Sequence, residues 1–168
     1  MRLIAITKPE FWAGEATTIV RLLEEGGFWR VHIRKPAAQT SEVERLILAI
    51  PPELRPRLTV HYHFELAPLV GGVHLNSRNP SPPHGWMGLV SRSCHSLDEL
   101  TAEANYLFLS PIFDSISKPG YRAAFSAEEL RGKVDGRVFA LGGVTFEQLP
   151  YIQELGFGGA AMLGAAWR

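Results

Sequence analysis

Short apolar runs and longer amphipathic runs take turns along this chain. The β-type runs are RLIAIT (2–7), WRVHIR (29–34), RLTVHYH (57–63), GVHL (72–75), GLVSRS (88–93), YLFLS (106–110), RVFALGG (137–143) and GGAAMLG (158–164). Most are separated by helix-type runs: EATTIVRLLEEG, SEVERLILAI, SLDELTAEA, SAEELRGKV and TFEQLPYIQELG. Ile19, Leu22 and Leu23 in the first of these, and Val43, Leu46 and Ile47 in the second, recur at spacings of three and four, the mark of a helix with one buried face. Ser41 with Glu44, Ser96 with Glu99, Ser126 with Glu129 and Thr145 with Gln148 predict capping boxes, and Gly26 and Gly156 stand where helices should stop.

Eight strand candidates in βα alternation predict a single α/β domain over residues 1–168, a (β/α)8 TIM-type barrel. The Pro-rich NSRNPSPPHGW (76–86) predicts a reduced fourth helix. The chain stops four residues after the eighth run, so the eighth helix is expected to be truncated or absent. Such barrels usually need at least about 200 residues. Either the barrel is trimmed or the sequence is a piece of a longer one. A doubly wound sheet with fewer strands is the alternative.

Composition narrows the setting. The 168 residues carry no formal net charge, with 17 basic and 17 acidic side chains. That balance argues against a nucleic-acid surface or a polybasic membrane patch, but leaves room for a local anion site. No apolar run approaches the roughly 20 residues of a membrane span. The N-terminus lacks a signal-type segment, and the single cysteine, Cys94, cannot form an internal disulfide. A cytoplasmic protein is expected, with a homodimer left open.

Candidate chemistry collects at the ends of the strands, where such folds place their sites. LFLSPIFDSISKPG empties an apolar strand into Ser110, Ser115, Ser117 and Lys118, which is either a solvated loop or an anion-binding one. Gly142 and Gly143 end the seventh strand and Gly164 ends the eighth; they either make tight turns or expose amides to a phosphate. In VHIRKP, alternation sets His32 and Arg34 against Val31 and Ile33. Arg34 is then a phosphate ligand or half of an ion pair. HYH places His61 and His63 on one face, which allows a metal; the missing acidic partners argue against one, and none is expected. His74 reads as polar filling of the barrel. His95, just before the expected cap at Ser96, is either a general acid or base, or a hydrogen-bonded loop residue. A helix starting there would disfavour a charged imidazole.

In order along the chain, VHIRKP, GGVHL, SRSCHSLDEL, LSPIFDSISKPG and FALGGV together resemble the thiamine phosphate synthase superfamily, which includes the TenI-like thiazole tautomerases. The resemblance runs from the first strand to Gly164 and implies a (β/α)8 barrel. It implies that Arg34, Ser115, Ser117 and Lys118 contact phosphates and substrate, and that Gly142, Gly143 and Gly164 cradle a thiazole phosphate. In the synthase, an Asn-Asp pair after the third strand and an aspartate after the fourth belong to a magnesium site. Here His61 and Tyr62 stand at the first place and Asn79 at the second, and none offers an anionic oxygen to a hard cation. Lys35-Pro36 also changes the spacing of the basic residue after Arg34. The tautomerase branch is similar to this chain in having histidines where His32 and His95 stand.

The expectation is therefore a TenI-like thiazole tautomerase with His95 as general acid or base, a thiazole phosphate as partner and no cofactor. A thiamine phosphate synthase using Mg2+ is the alternative. A non-catalytic regulator that binds a phosphate ligand is the third reading.

Overall fold

Each of the eight β-type runs becomes a strand, most of them shortened, with β2 and β5 shifted by one residue. The computed structural model describes residues 1–114 and 122–167. The strands are β1 (Arg2–Ile6), β2 (Phe28–Ile33), β3 (Leu58–His61), β4 (Gly72–Leu75), β5 (Leu89–Cys94), β6 (Tyr106–Leu109), β7 (Val138–Ala140) and β8 (Gly159–Met162). They pair in sequence order into a closed barrel, and the registers given by β2 to β4 and by β5 to β8 are parallel. The (β/α)8 expectation holds, and the doubly wound alternative falls.

The helical layer is thinner than the sequence suggests. α1 (Glu15–Glu24) and α2 (Thr40–Leu48) are full helices that bury Ile19, Leu22 and Leu23, and Val43, Leu46 and Ile47. α3 (Ala127–Leu130) is a single turn, and α4 (Leu149–Glu154) continues a 3-10 turn at Phe146–Gln148. SLDELTAEA makes only a 3-10 turn at Asp98–Thr101, with Leu100 as its one buried residue. No helix forms over 76–88, and β8 is followed by a 3-10 turn at Ala165–Trp167.

The capping boxes at Ser126/Glu129 and Thr145/Gln148 form as expected. Two others are corrected. At α2 the box sits two residues earlier, with the Gln39 amide donating to Glu42 Oε2 at 2.9 Å. At 96–99 the Glu99 carboxylate accepts from the His95 amide at 2.9 Å instead of serving Ser96. Gly156 takes the left-handed conformation that ends α4, whereas after α1 Gly27 takes it, not Gly26.

Two compact units divide the chain: Ile4–Val90, and Met1–Leu3 with Ser91–Arg168. In the second, Phe139 packs with Tyr106 and Phe108 at ring distances of 5.3 and 6.3 Å, and a Cβ on Gly159 would overlap the Phe139 ring. In the first, Lys35 is 0% exposed. Its ammonium donates to the Lys8 carbonyl at 2.8 Å, the Glu10 carbonyl at 2.7 Å and the Glu15 carboxylate at 2.7 Å, and lies 4.5 Å from the Phe11 ring centre. One ammonium thus joins the end of β2, the loop after β1 and the first turn of α1. Burial pushes the Glu15 carboxyl up and the Lys35 ammonium down, each partly offset by the other's charge.

Breaking such a pair strands a buried charge. Lys35→Met should cost about 3–5 kcal/mol in urea unfolding, and Glu15→Leu added to it should recover part of that loss. A cost below about 1 kcal/mol would mean that the pair does not hold these segments together.

Candidate functional site

The histidines sort differently from their sequence spacing. His32 lies on β2, His61 ends β3 and His74 lies on β4. The register aligns His32 with Thr59 and His61 with His74. Thr59 and His61 share a face, so the three imidazoles line one side of adjacent parallel strands. His32 Nδ1 is 2.8 Å from His61 Nε2, and the His61 and His74 rings stack at 4.1 Å. The three are 0%, 5% and 2% exposed.

Other polar groups of this unit complete the same face. Arg30 Nε donates to Thr59 Oγ1 at 3.0 Å, and its Nη2 donates to the Pro56 and Leu58 carbonyls at 2.8 and 2.9 Å. A Cβ on Gly72 would overlap Thr59 Oγ1, so glycine there makes room for the arginine's partner. Arg34 is half-buried just past β2, and its amide donates to Thr7 Oγ1 at 2.9 Å. Asn76, the residue after β4, accepts from the Arg78 and Asn79 amides through Oδ1. Its buried Nδ2 is a donor without a protein acceptor among the described residues.

His63 does not join His61. Tyr62 takes a left-handed φ of 70°, which breaks the strand's alternation. The His63 ring is 3.1 Å from the Lys35 carbonyl and 3.2 Å from Thr40 Oγ1 instead.

The second unit holds the remaining candidates. His95 is exposed just past β5, with Nδ1 3.3 Å from the Ser110 carbonyl and 3.4 Å from Ser110 Oγ. The next element is a 3-10 turn capped at Leu97, so no α-helix terminus acts on the imidazole, contrary to the expectation from Ser96 and Glu99. Cys94 is buried beside it, its thiol pushed up to about 11, chiefly by burial, which rules out an easily formed thiolate.

Gly142 and Gly143 follow β7 with φ of 92° and 66°. Here the loop after β6 comes close. The Phe113 amide donates to the Gly142 carbonyl at 3.0 Å, and a Cβ on Gly143 would overlap the Asp114 carbonyl oxygen. Backbone packing therefore demands both glycines, whatever else their amides do. Gly164 follows the adjacent strand β8 and has open space where a Cβ would go. Ser115, Ser117 and Lys118 lie outside the described residues.

A closed barrel of eight strands with helices and turns between them defines a (β/α)8 TIM-type fold. The model of the family described as thiamine monophosphate synthase matches residues 3–166, and the chain belongs to that family. A thiamine-phosphate synthase of Bacteroides thetaiotaomicron is 27% identical over 167 residues, covering 86% of this chain and 79% of its own. A crystal structure titled thiamine phosphate pyrophosphorylase, also from Bacteroides thetaiotaomicron, is 40% identical with a TM-score of 0.86, covering 99% of this chain and 85% of that one. A thiamine phosphate pyrophosphorylase from Pyrococcus furiosus is 21% identical with a TM-score of 0.77, covering 98% of this chain and 86% of that one; it shares the fold. Among the described residues, no helix is long and apolar enough to cross a membrane.

Mg2+ is the cation that the resemblance attaches to the synthase, and the residues here do not suit it. The segment after β4 (76–88) contains no acidic residue. After β3 the one carboxylate, Glu65, is exposed and accepts from Thr40 Oγ1 at 2.5 Å. The Asn76 Nδ2 group is a donor, and imidazole is a poor ligand for a hard cation.

The two glycine turns should respond differently to a methyl group. Gly143→Ala forces a left-handed conformation on a residue with a Cβ, at about 1–3 kcal/mol, and should lower Tm by about 2–12 °C. Gly164→Ala should leave Tm nearly unchanged. Equal effects in thermal melts would contradict the packing described at the turn after β7.

Acid should destabilise the histidine row. Burial first, then neighbouring charge, holds His32 and His61 well below the usual imidazole range and His74 down at about 3. Unfolded histidines take up protons near pH 6.5, which the folded row refuses until far lower pH. The row's stability is therefore fully present above about pH 6.5 and is lost as pH falls toward 3. With three such groups the slope near pH 5 approaches about 4 kcal/mol per pH unit. Urea midpoints, taken with divalent cations chelated, should fall steadily from about pH 7 to pH 5. A flat profile would mean that the imidazoles are not buried in neutral form.

Proposed function

We propose that this protein is a thiamine phosphate synthase, joining a pyrimidine diphosphate to a thiazole phosphate. The observation that carries this reading is the 40% identity, over nearly the whole chain, to a protein titled thiamine phosphate pyrophosphorylase. In the reaction the thiazole nitrogen forms a bond to the pyrimidine methylene carbon. The carbon–oxygen bond to the diphosphate breaks, and pyrophosphate leaves with the electron pair. The task for the protein is to hold two anionic substrates in line and to stabilise charge on the leaving group. Arg34, half-buried beyond β2, suits a bidentate phosphate contact. The Asn76 Nδ2 donor suits a substrate oxygen or ring nitrogen. Ser115, Ser117 and Lys118 are assigned to the pyrophosphate, and the amides around Gly143 and Gly164 to the thiazole phosphate.

A second reading, the thiazole tautomerase, is favoured by one feature: the lack of any carboxylate after β4, with only the exposed, Thr40-bonded Glu65 after β3, together with an exposed imidazole at His95. In that reaction a proton leaves one ring position and another is delivered elsewhere, and no pyrophosphate forms. His95, held through Ser110, would carry the proton.

Product analysis separates the two. Incubation with hydroxymethylpyrimidine diphosphate and thiazole phosphate should yield thiamine phosphate and pyrophosphate in equal amounts, and Arg34→Met should reduce this by about 100-fold or more. Tautomerisation of the thiazole carboxylate phosphate without pyrophosphate release, lost by about 100-fold or more in His95→Gln, would replace the synthase with the tautomerase. Binding of thiazole phosphate with turnover of neither kind would leave a regulator.

A further inference from the structure

The row of imidazoles on β2, β3 and β4 is more than filling. His32, His61 and His74 each present a ring nitrogen, and these atoms all lie within 4.8 Å of one another. In a tetrahedral zinc site the ligating nitrogens stand about 3.4 Å apart, given Zn–N bonds of about 2.05 Å. The closest pair here, at 2.8 Å, would open slightly. A pair at the 4.8 Å limit would close by about 1.4 Å through side-chain rotation. The backbone beneath is tied by the ladders β2–β3 and β3–β4, so the ring origins are held.

We propose that His32, His61 and His74 bind a borderline divalent cation of the zinc class in a tetrahedral site, with an anionic oxygen as the fourth ligand. Donor chemistry selects the metal: neutral imidazoles suit Zn2+, Co2+, Ni2+ and Cu2+ and discriminate against Mg2+ and Ca2+. The three rings are buried, and an apolar setting favours the neutral imidazole, which is the form that ligates.

Local charge demands the fourth ligand. Arg34 acts electrostatically on both His61 and His74, and Arg30 acts on His32. A bare dication beside these guanidiniums would be repelled, and no carboxylate belongs to the cluster. A hydroxide or phosphate oxygen at the open position neutralises the site and gives Arg34 a partner. The inference does not depend on which reaction the protein catalyses, because metal binding is read directly.

The test uses the full chain, stripped with a chelator and titrated with Co2+ as a spectroscopic stand-in. Tetrahedral Co2+ gives intense visible bands, and hydrated Co2+ gives weak ones. The expected result is one equivalent bound with intense bands, displaced by Zn2+ and unaffected by excess Mg2+. Inorganic phosphate should shift those bands by entering the fourth position.

His61→Ala and the less disruptive His74→Asn should each weaken binding by more than about 100-fold, at least the cost of losing an outer partner of a metal ligand. His84→Ala, at an exposed position, should leave binding unchanged. Wild-type protein that retains its cooperative thermal transition yet binds no stoichiometric Co2+ or Zn2+ would overturn the proposal. So would weak octahedral bands, or binding that survives in His74→Asn. Bands indifferent to phosphate would overturn the anionic fourth ligand.

Discussion

Polar side chains buried on the face of a parallel sheet must find partners within the protein, because water is excluded. This constraint shapes the unit Ile4–Val90 throughout. Arg30 survives burial because Thr59 and two carbonyls at the start of β3 receive its donors. Lys35 survives because the loop after β1 and the start of α1 fold around its ammonium. The histidines need another solution. An imidazole is donor and acceptor at once, so neutral rings can pair with each other where a lysine or an aspartate could not. The same neutrality that makes the row tolerable in the apolar interior makes it suited to a transition cation.

The second unit meets the constraint differently. Its strand faces are filled by Tyr106, Phe108 and Phe139, which ask little of the polar environment. Apart from Ser91, Arg92 and Ser93 on β5, its candidate polar chemistry lies beyond the strand ends, at His95 and Ser110 and at the glycine turn after β7. That turn illustrates how one feature can serve two ends. Gly142 and Gly143 are required by the close approach of residues 111–114, so their presence alone says nothing about a phosphate. Gly164 carries no such packing requirement.

Family membership and the details of the site pull in different directions. The family model places the chain in the thiamine monophosphate synthase family, and near-full-length relatives carry synthase names. The segments after β3 and β4 carry imidazole, phenol and amide groups where carboxylates would serve magnesium. A synthase with these side chains must neutralise its pyrophosphate by other means, either through basic residues such as Arg34 or through a cation that prefers nitrogen.

Alternation of apolar and amphipathic runs was enough to determine eight strands and a barrel, since each period reports local geometry. Caps at Ser126 and Thr145 were legible for the same reason: a box lies within four residues. Local signals failed where distant packing ruled. SLDELTAEA has the pattern of a capping box and helix-forming residues, but Glu99 serves the His95 amide and the segment forms only a 3-10 turn. Along β3 the spacing of two should have joined His61 to His63, but the left-handed Tyr62 turns His63 toward Lys35 and Thr40. The grouping of His32, His61 and His74 spans three strands and depends on their register. Register is set by how strands pack against one another, so no window of sequence contained it. The buried Lys35 was likewise invisible, because its acceptors lie about 20 or more residues away and meet it only in the folded chain.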